Sequence, residues 1–89
     1  MDILDLNIFM DNGIISESSF FDKAESFNWE QYRDRSVLVK GCGTTIIPPW
    51  AFMTIAARLA QVARRVRYGN EHTSISIFSR PTPEAAHAD

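Results

Sequence analysis

The segment from Ser36 to Gly69 constrains the fold more than any other part of the chain. Ser36–Lys40 is a β-branched run that follows a turn signal and stops at Gly41, a pattern typical of a buried strand. Two adjacent prolines then open a helix, which we predict over Pro48–Arg64. Val66–Gly69 predicts a further short strand. Because strand, helix and parallel strand connect with right-handed topology in nearly all known cases, this segment predicts a right-handed βαβ crossover.

The residues on either side of this unit predict further elements. Ser16 or Ser18 is suited to cap a helix that continues to about Phe27. Ser74–Phe78 alternates polar and apolar residues with a period of two, which predicts a strand. Leu4–Met10 is apolar without a clean period, and predicts a short helix or an irregular strand. The predicted fold class is α/β: a small two-layer domain with a short mixed sheet of about three strands and two to three helices.

Length and charge distribution define the domain further. A chain of 89 residues has room for one hydrophobic core, so we predict a single domain over residues 1–80. Residues 81–89 hold two prolines and no apolar periodicity, and predict a disordered tail.

Residues 1–30 carry seven acidic side chains and one lysine, whereas residues 31–80 carry eight basic and two acidic ones. We expect the two parts to attract each other in the fold or to present oppositely charged faces to partners.

Cysteine content and apolar segments indicate the cellular compartment. Cys42 is the only cysteine, so no internal disulfide is possible and a reducing compartment is expected. The N-terminus carries acidic residues where a secretory signal has basic ones. The longest apolar stretch, Trp50–Ala63, is shorter than the about 20 residues of a membrane span and is interrupted by Arg58. We therefore expect a cytoplasmic protein that does not associate with a membrane.

The loop after the predicted central strand holds the most suggestive chemical group. Cys42 lies between Gly41 and Gly43 at the carboxyl end of a strand, where ligand sites of α/β folds gather. Thr44 and Thr45 follow as hydrogen-bond donors. A thiol near a helix N-terminus has its thiolate favoured, and could serve as a nucleophile, a redox group, or a sulfur or metal ligand. The alternative is a small thiol packed in a tight loop, because free cysteine is among the most buried residue types.

Other kinds of site are disfavoured. The loop lacks the third glycine of a dinucleotide fingerprint and the Gly-Lys-Ser or Gly-Lys-Thr of a P-loop. Cys42, His72 and His87 are scattered, so no metal site within one chain is predicted, although two copies of Cys42 across a dimer axis are an alternative. No Ser-His-Asp arrangement is readable. We expect no bound cofactor.

Four arginines on and just after the long predicted helix form a candidate basic patch: Arg58, Arg64, Arg65 and Arg67. Arginines at a helix C-terminus also complement the helix dipole, which explains some of them without any partner. A nucleic-acid-binding domain usually carries a strongly basic surface, whereas this chain has a net charge of −2. Nucleic acid is therefore disfavoured as a partner, and an acidic protein surface matches these arginines better.

Four segments carry a family resemblance: Asn28–Tyr32 (NWEQY), Val37–Cys42 (VLVKGC), Ile46–Met53 (IIPPWAFM) and Val66–Gly69 (VRYG). In order and spacing they resemble the bacterial domain-of-unknown-function 2480 family, over residues 1–78. Members of that family often lie in gene neighbourhoods with iron–sulfur cluster assembly proteins. The resemblance thus implies an accessory role in cluster assembly.

The leading hypothesis is an uncharacterised accessory or interaction protein that binds a protein partner and also forms a homodimer. We expect it to act through the loop Gly41–Ile47 and the Arg58 side of the long helix. The alternative is a thiol-dependent enzyme or sulfur carrier that uses Cys42.

Overall fold

The computed structural model describes residues 1–41 and 46–81 of the chain. In this part of the chain the elements are β1 (Asp2–Asp5), α1 (Glu17–Ser26), β2 (Ser36–Lys40), α2 (Pro49–Ala60), β3 (Arg65–Gly69) and β4 (Ser74–Ser79). Two short 3-10 helices, Leu6–Phe9 and Trp29–Tyr32, flank α1.

The four strands form one mixed sheet in the order β1-β2-β3-β4. β2 pairs in parallel with both β1 and β3, and β4 runs antiparallel to β3. The predicted α/β class is confirmed, and α2 joins the parallel strands β2 and β3 as predicted. The sheet has four strands rather than about three. The additional strand, β1, is an edge strand of four residues in which only Leu4 is fully buried. Its sequence therefore shows no alternation of polar and apolar residues from which a strand could be predicted.

Both helices lie on one face of this sheet, and their apolar side chains form the core. The core cluster includes residues of three strands and both helices: Leu4, Val37, Val39, Val66, Phe20, Ala24, Ala51, Ile55 and Leu59. Leu38 alternates with two of these residues along β2 and therefore faces the other side of the sheet, where it is also buried. The central strand is thus buried on both faces, as its β-branched run predicts.

The long helix is shorter than predicted, since α2 ends at Ala60 and not at Arg64. Its last turn tightens, and the Gln61 N–H donates to the carbonyl of Arg58. The Arg64 N–H already donates to the carbonyl of Arg35, at 2.9 Å, beside the start of β2. The residues between Ala60 and Arg64 turn the chain back into the sheet. The helical periodicity of the sequence does not reveal this turn.

A tight hairpin returns the chain from β3 to β4. Gly69 has φ +144°, and a Cβ at this position would lie 2.3 Å from the carbonyl oxygen of Thr73. The Asn70 Oδ1 accepts hydrogen bonds from the backbone N–H groups of His72 and Thr73, at 2.8 and 2.9 Å. This hairpin places β4 at the edge of the sheet.

Ion pairs join the acidic and basic parts of the sequence, as expected. Asp2 pairs with Arg35 and Glu25 pairs with Arg58, in each case across residues 1–30 and 31–80. Side chains in these pairs are largely exposed, so the pairs orient segments more than they stabilise the fold.

A further ion pair ties a turn to α1. Asn12 and Gly13 both have positive φ, as in the tight turns that Asn-Gly favours. Next to them, Asp11 accepts hydrogen bonds from Lys23 and from the Ser19 hydroxyl, both at 2.5 Å. These bonds hold the pKa of the Asp11 carboxyl below its ordinary value.

None of the helices in the described part of the chain is long and apolar enough to cross a membrane. The predicted tail falls on residues that, beyond Pro81, lie outside the described ones, and its disorder stays a prediction.

Removing one methylene from the core should weaken the fold. Ile55 is fully buried, so we expect Ile55→Val to lower the free energy of unfolding by about 0.5–1.5 kcal/mol. The control is Ile46→Val, because Ile46 is 91% exposed and the same change there should cost less than about 0.5 kcal/mol. Urea unfolding measures both. Equal losses in the two variants would contradict the position of Ile55 in the core.

The pH dependence of stability should reveal the Asp11 interaction. A carboxyl whose pKa is lowered in the folded state stabilises the fold above its ordinary pKa, and this contribution disappears as the pH falls. We expect Asp11→Asn to lower the free energy of unfolding at neutral pH and to match the wild type in acid. The control is Asp22→Asn, which removes the same charge from α1 where no ion pair is formed within the described residues. An Asp11→Asn effect that is equally large in acid would contradict the assignment.

Candidate functional site

An open apolar groove lies beside α2 on the helix-covered face of the sheet. It has a volume of about 460 Å³, within the range of ligand-binding pockets. We call it the apolar groove, and its lining residues are Val39, Ile47, Pro49, Phe52, Met53, Ala56, Val66, Tyr68 and Ile77. None of these side chains carries a charge. The groove is therefore suited to an apolar occupant.

The position of α2 creates one wall of the groove. Ala51, Ile55 and Leu59 follow one another at intervals of four residues and are fully buried. Phe52 lies beside this stripe and is half-buried, whereas Met53 is 72% exposed. Apolar residues occupy most of the circumference of α2, yet only this stripe is fully buried. Its second apolar side lines the open groove, because none of the described elements packs against it there.

Aromatic contacts shape the floor and one end. The rings of Phe52 and Tyr68 meet edge to face, with centroids 5.0 Å apart. At Gly41, which directly follows β2, a Cβ atom would lie 3.6 Å from both the Ile47 Cδ1 and the Phe52 Cζ. The chain thus leaves β2 at the end of the apolar groove.

Exposed apolar side chains continue the groove onto the edge strand. Ile77 lines the groove and is 50% exposed, and Ile75 is 60% exposed. Ile75 lies opposite Tyr68 in the β3–β4 register, which places it on the same face of the sheet. Contiguous exposed apolar surface of this kind marks interaction sites in soluble proteins.

The opposite face of the sheet differs in chemistry. Lys40 and Glu71 form an ion pair, with 2.9 Å between Nζ and Oε1, and this contact raises the pKa of Lys40 and lowers the pKa of the Glu71 carboxyl. The Arg67 guanidinium donates to the hydroxyl and to the carbonyl of Ser74, both at 2.8 Å. A smaller hollow of about 180 Å³ beside Leu38 has polar residues in its lining. The charged side chains of Lys40, Glu71 and Arg67 on this face are thus each bonded within the chain.

The four arginines of the candidate basic patch lie in different environments. Arg58 pairs with Glu25 of α1, on the helix-covered face. Arg67 is hydrogen-bonded to the start of β4, as described above. Arg64 and Arg65 are exposed at the link between α2 and β3. The arginines at the two ends of this set are thus occupied by contacts within the chain.

The loop site predicted from the sequence is only partly visible. Gly41 lies at the end of the apolar groove. Cys42, Gly43, Thr44 and Thr45 lie outside the described residues, so the hypothesis of a reactive thiol stays a prediction. Among residues 1–41 and 46–81, no group of three or more His, Cys, Asp or Glu side chains is arranged to hold a metal ion.

Sequence reasoning missed the groove as a site. Met53, Tyr68 and Ile77 were not among the predicted site residues. Two signals were present: α2 has apolar residues around most of its circumference, and Ile77 belongs to an alternating strand. Neither signal shows that the two surfaces meet, because their contact depends on the sheet order.

Comparison with known proteins gives a family but no described relative. No curated protein and no solved structure shows significant similarity to the chain. The family model described as "Protein of unknown function (DUF2480)" matches residues 1–83 of the 89. This range includes both helices, all four strands and every residue that lines the apolar groove. The chain therefore belongs to the DUF2480 family.

Proposed function

We propose that this protein is a non-enzymatic interaction protein, and that its apolar groove binds the apolar face of a helix from a partner protein. The observation that carries the proposal is the groove itself, whose lining holds no charged side chain and which stays open along β4. An open groove receives part of a larger molecule, since a small ligand would stay exposed on one side.

The dimensions of the groove support a helix as the occupant. Strands in a sheet lie about 4.8 Å apart, so β3 and β4 together offer a floor about 10 Å wide. This width matches a helix, whose diameter with side chains is about 10–12 Å. A helix seated there would pack beside α2 against Met53 and Ala56, and would rest on Tyr68 and Ile77. Helix-in-groove recognition uses apolar side chains at intervals of three and four residues.

The chemistry of the groove sets the character of the bound face. A charged side chain placed against the groove would lose its hydration without finding a partner of opposite charge, which is costly. We therefore expect leucine, isoleucine, methionine or phenylalanine side chains at the contact, with polar residues on the solvent side of the helix.

The identity of the partner is proposed from the family resemblance alone. Members of the DUF2480 family, which this sequence resembles, often lie in gene neighbourhoods with iron–sulfur cluster assembly proteins. We propose that the partner is a component of that machinery and that the interaction takes place in the cytoplasm.

A charge placed in the groove should abolish partner binding. Met53 is exposed, so Met53→Lys leaves the core intact but brings an ammonium group against the bound helix. The matched control is Gln61→Lys, which adds the same charge at the exposed end of α2, outside the groove lining. The partner is first identified by mass spectrometry after purification with the tagged wild-type protein, and its affinity is then measured by calorimetry. We expect Met53→Lys to weaken binding more than tenfold, or by over about 1.4 kcal/mol, and Gln61→Lys to leave it unchanged.

Partner binding that survives Met53→Lys, or that both variants weaken equally, contradicts the groove as the binding site.

The role in cluster assembly predicts a phenotype. In a strain from which the gene is deleted, we expect lower activity of iron–sulfur enzymes at unchanged enzyme abundance. Wild-type protein and Gln61→Lys should restore the activity, whereas Met53→Lys should not. The proposed role in cluster assembly is contradicted if the deletion strain has normal enzyme activity and the purified partners include no assembly component. Groove binding itself would then still be tested by calorimetry.

A further inference from the structure

We propose that two copies of this chain pair along β4, antiparallel about a two-fold axis, to form one continuous eight-stranded sheet. This inference goes beyond the groove and its partner, because it rests on the edge of the sheet and not on what the groove binds. In the resulting dimer, each β4 extends the floor of the other copy's groove.

Edge strands of soluble proteins are protected by charged side chains, prolines, bulges or very short length. β4 has one irregularity, at Ile77 between the pairs Ser76–Arg67 and Phe78–Val66, and lacks the other features. Ser74–Ser79 reads Ser-Ile-Ser-Ile-Phe-Ser and contains neither a charged residue nor a proline. Its six residues offer a row of outward backbone groups about 20 Å long, at about 3.3 Å per residue.

The other edge of the same sheet is protected, which makes β4 the side where pairing occurs. β1 spans Asp2–Asp5 and begins and ends with a carboxylate. Charged side chains and very short length both protect an edge strand, and β1 has four residues of which two are aspartates. β4 has six residues and no charged side chain.

A register centred on Ser76 matches the side chains of the two strands. In this register Ser76 faces Ser76 of the second copy, and Ile75 faces Ile77 of the second copy. These isoleucines are 60% and 50% exposed in the single chain, so pairing removes four apolar side chains from water. All four lie on the face that carries the apolar groove.

The dimer changes the binding site. Two grooves come to lie side by side over the strands β3 and β4 of both copies, a floor about 20 Å wide at about 4.8 Å per strand. Ile75 and Ile77 of the second copy border the open side of each groove. A single pair of strands buries less surface than the about 800 Å² per partner of a typical stable interface. We therefore expect a reversible equilibrium between monomer and dimer.

Sedimentation of charge variants tests the pairing. Wild-type protein should shift with increasing concentration from the 10.1 kDa of one chain towards twice that mass. Ser76→Lys and Ser76→Glu should each remain monomeric at every concentration, because like charges then face each other across the axis. An equimolar mixture of the two variants should dimerise again, because the charges across the axis are now opposite. Ser18→Lys, at an exposed position on α1, is the control and should behave as the wild type.

Circular dichroism checks that each variant is folded, and recovery of the dimer in the mixture would show the same independently. Wild-type protein that stays monomeric at all concentrations overturns the proposal. A dimer that persists in both single variants, or a mixture that stays monomeric, also overturns it. Binding of the groove partner by monomeric Ser76→Lys separates the two proposals, since groove binding needs only one copy.

Discussion

The packing of one stripe of α2 against the parallel strands β2 and β3 is the interaction on which the rest of the structure depends. Ala51, Ile55 and Leu59 form this stripe, and each is fully buried. Burial of a large aliphatic side chain stabilises a fold by about 1.5–3 kcal/mol, and the small side chain of Ala51 lets the helix approach closely. Once this stripe is fixed, the flanking residues Phe52 and Met53 must point along the sheet towards β4. The groove is a consequence of how the core packs.

The two faces of the sheet then acquire different roles. On one face, the charged side chains of Lys40, Glu71 and Arg67 are each bonded to other groups of the chain. On the other, the strand β4 carries isoleucines that no described helix covers. Apolar surface that stays in water is unfavourable, and the proposed partner helix and the proposed second copy of the chain would each cover part of it, in compatible places.

Much of the fold is encoded in short-range patterns. The run Val37–Val39 and the paired prolines predicted β2, α2 and their connection, because burial on both faces and helix initiation depend on local residue type. The end of α2 and the strand β1 were less predictable. The helix stops where the chain must rejoin the sheet beside Arg35, and β1 has only one fully buried side chain, Leu4, so each depends on pairing with distant residues. The groove was hidden for the same reason, since Met53 and Ile77 meet only through the strand order.

The most direct test of the central claim is methyl-resolved NMR of the protein with its purified partner. The account predicts that the methyl signals of Met53 and Ile77, which line the groove, shift or broaden on binding. The signal of Ile3, half-exposed on the opposite face, should stay unchanged. Changes at Ile3 with none at Met53 and Ile77 would contradict the claim that partners bind over β3 and β4.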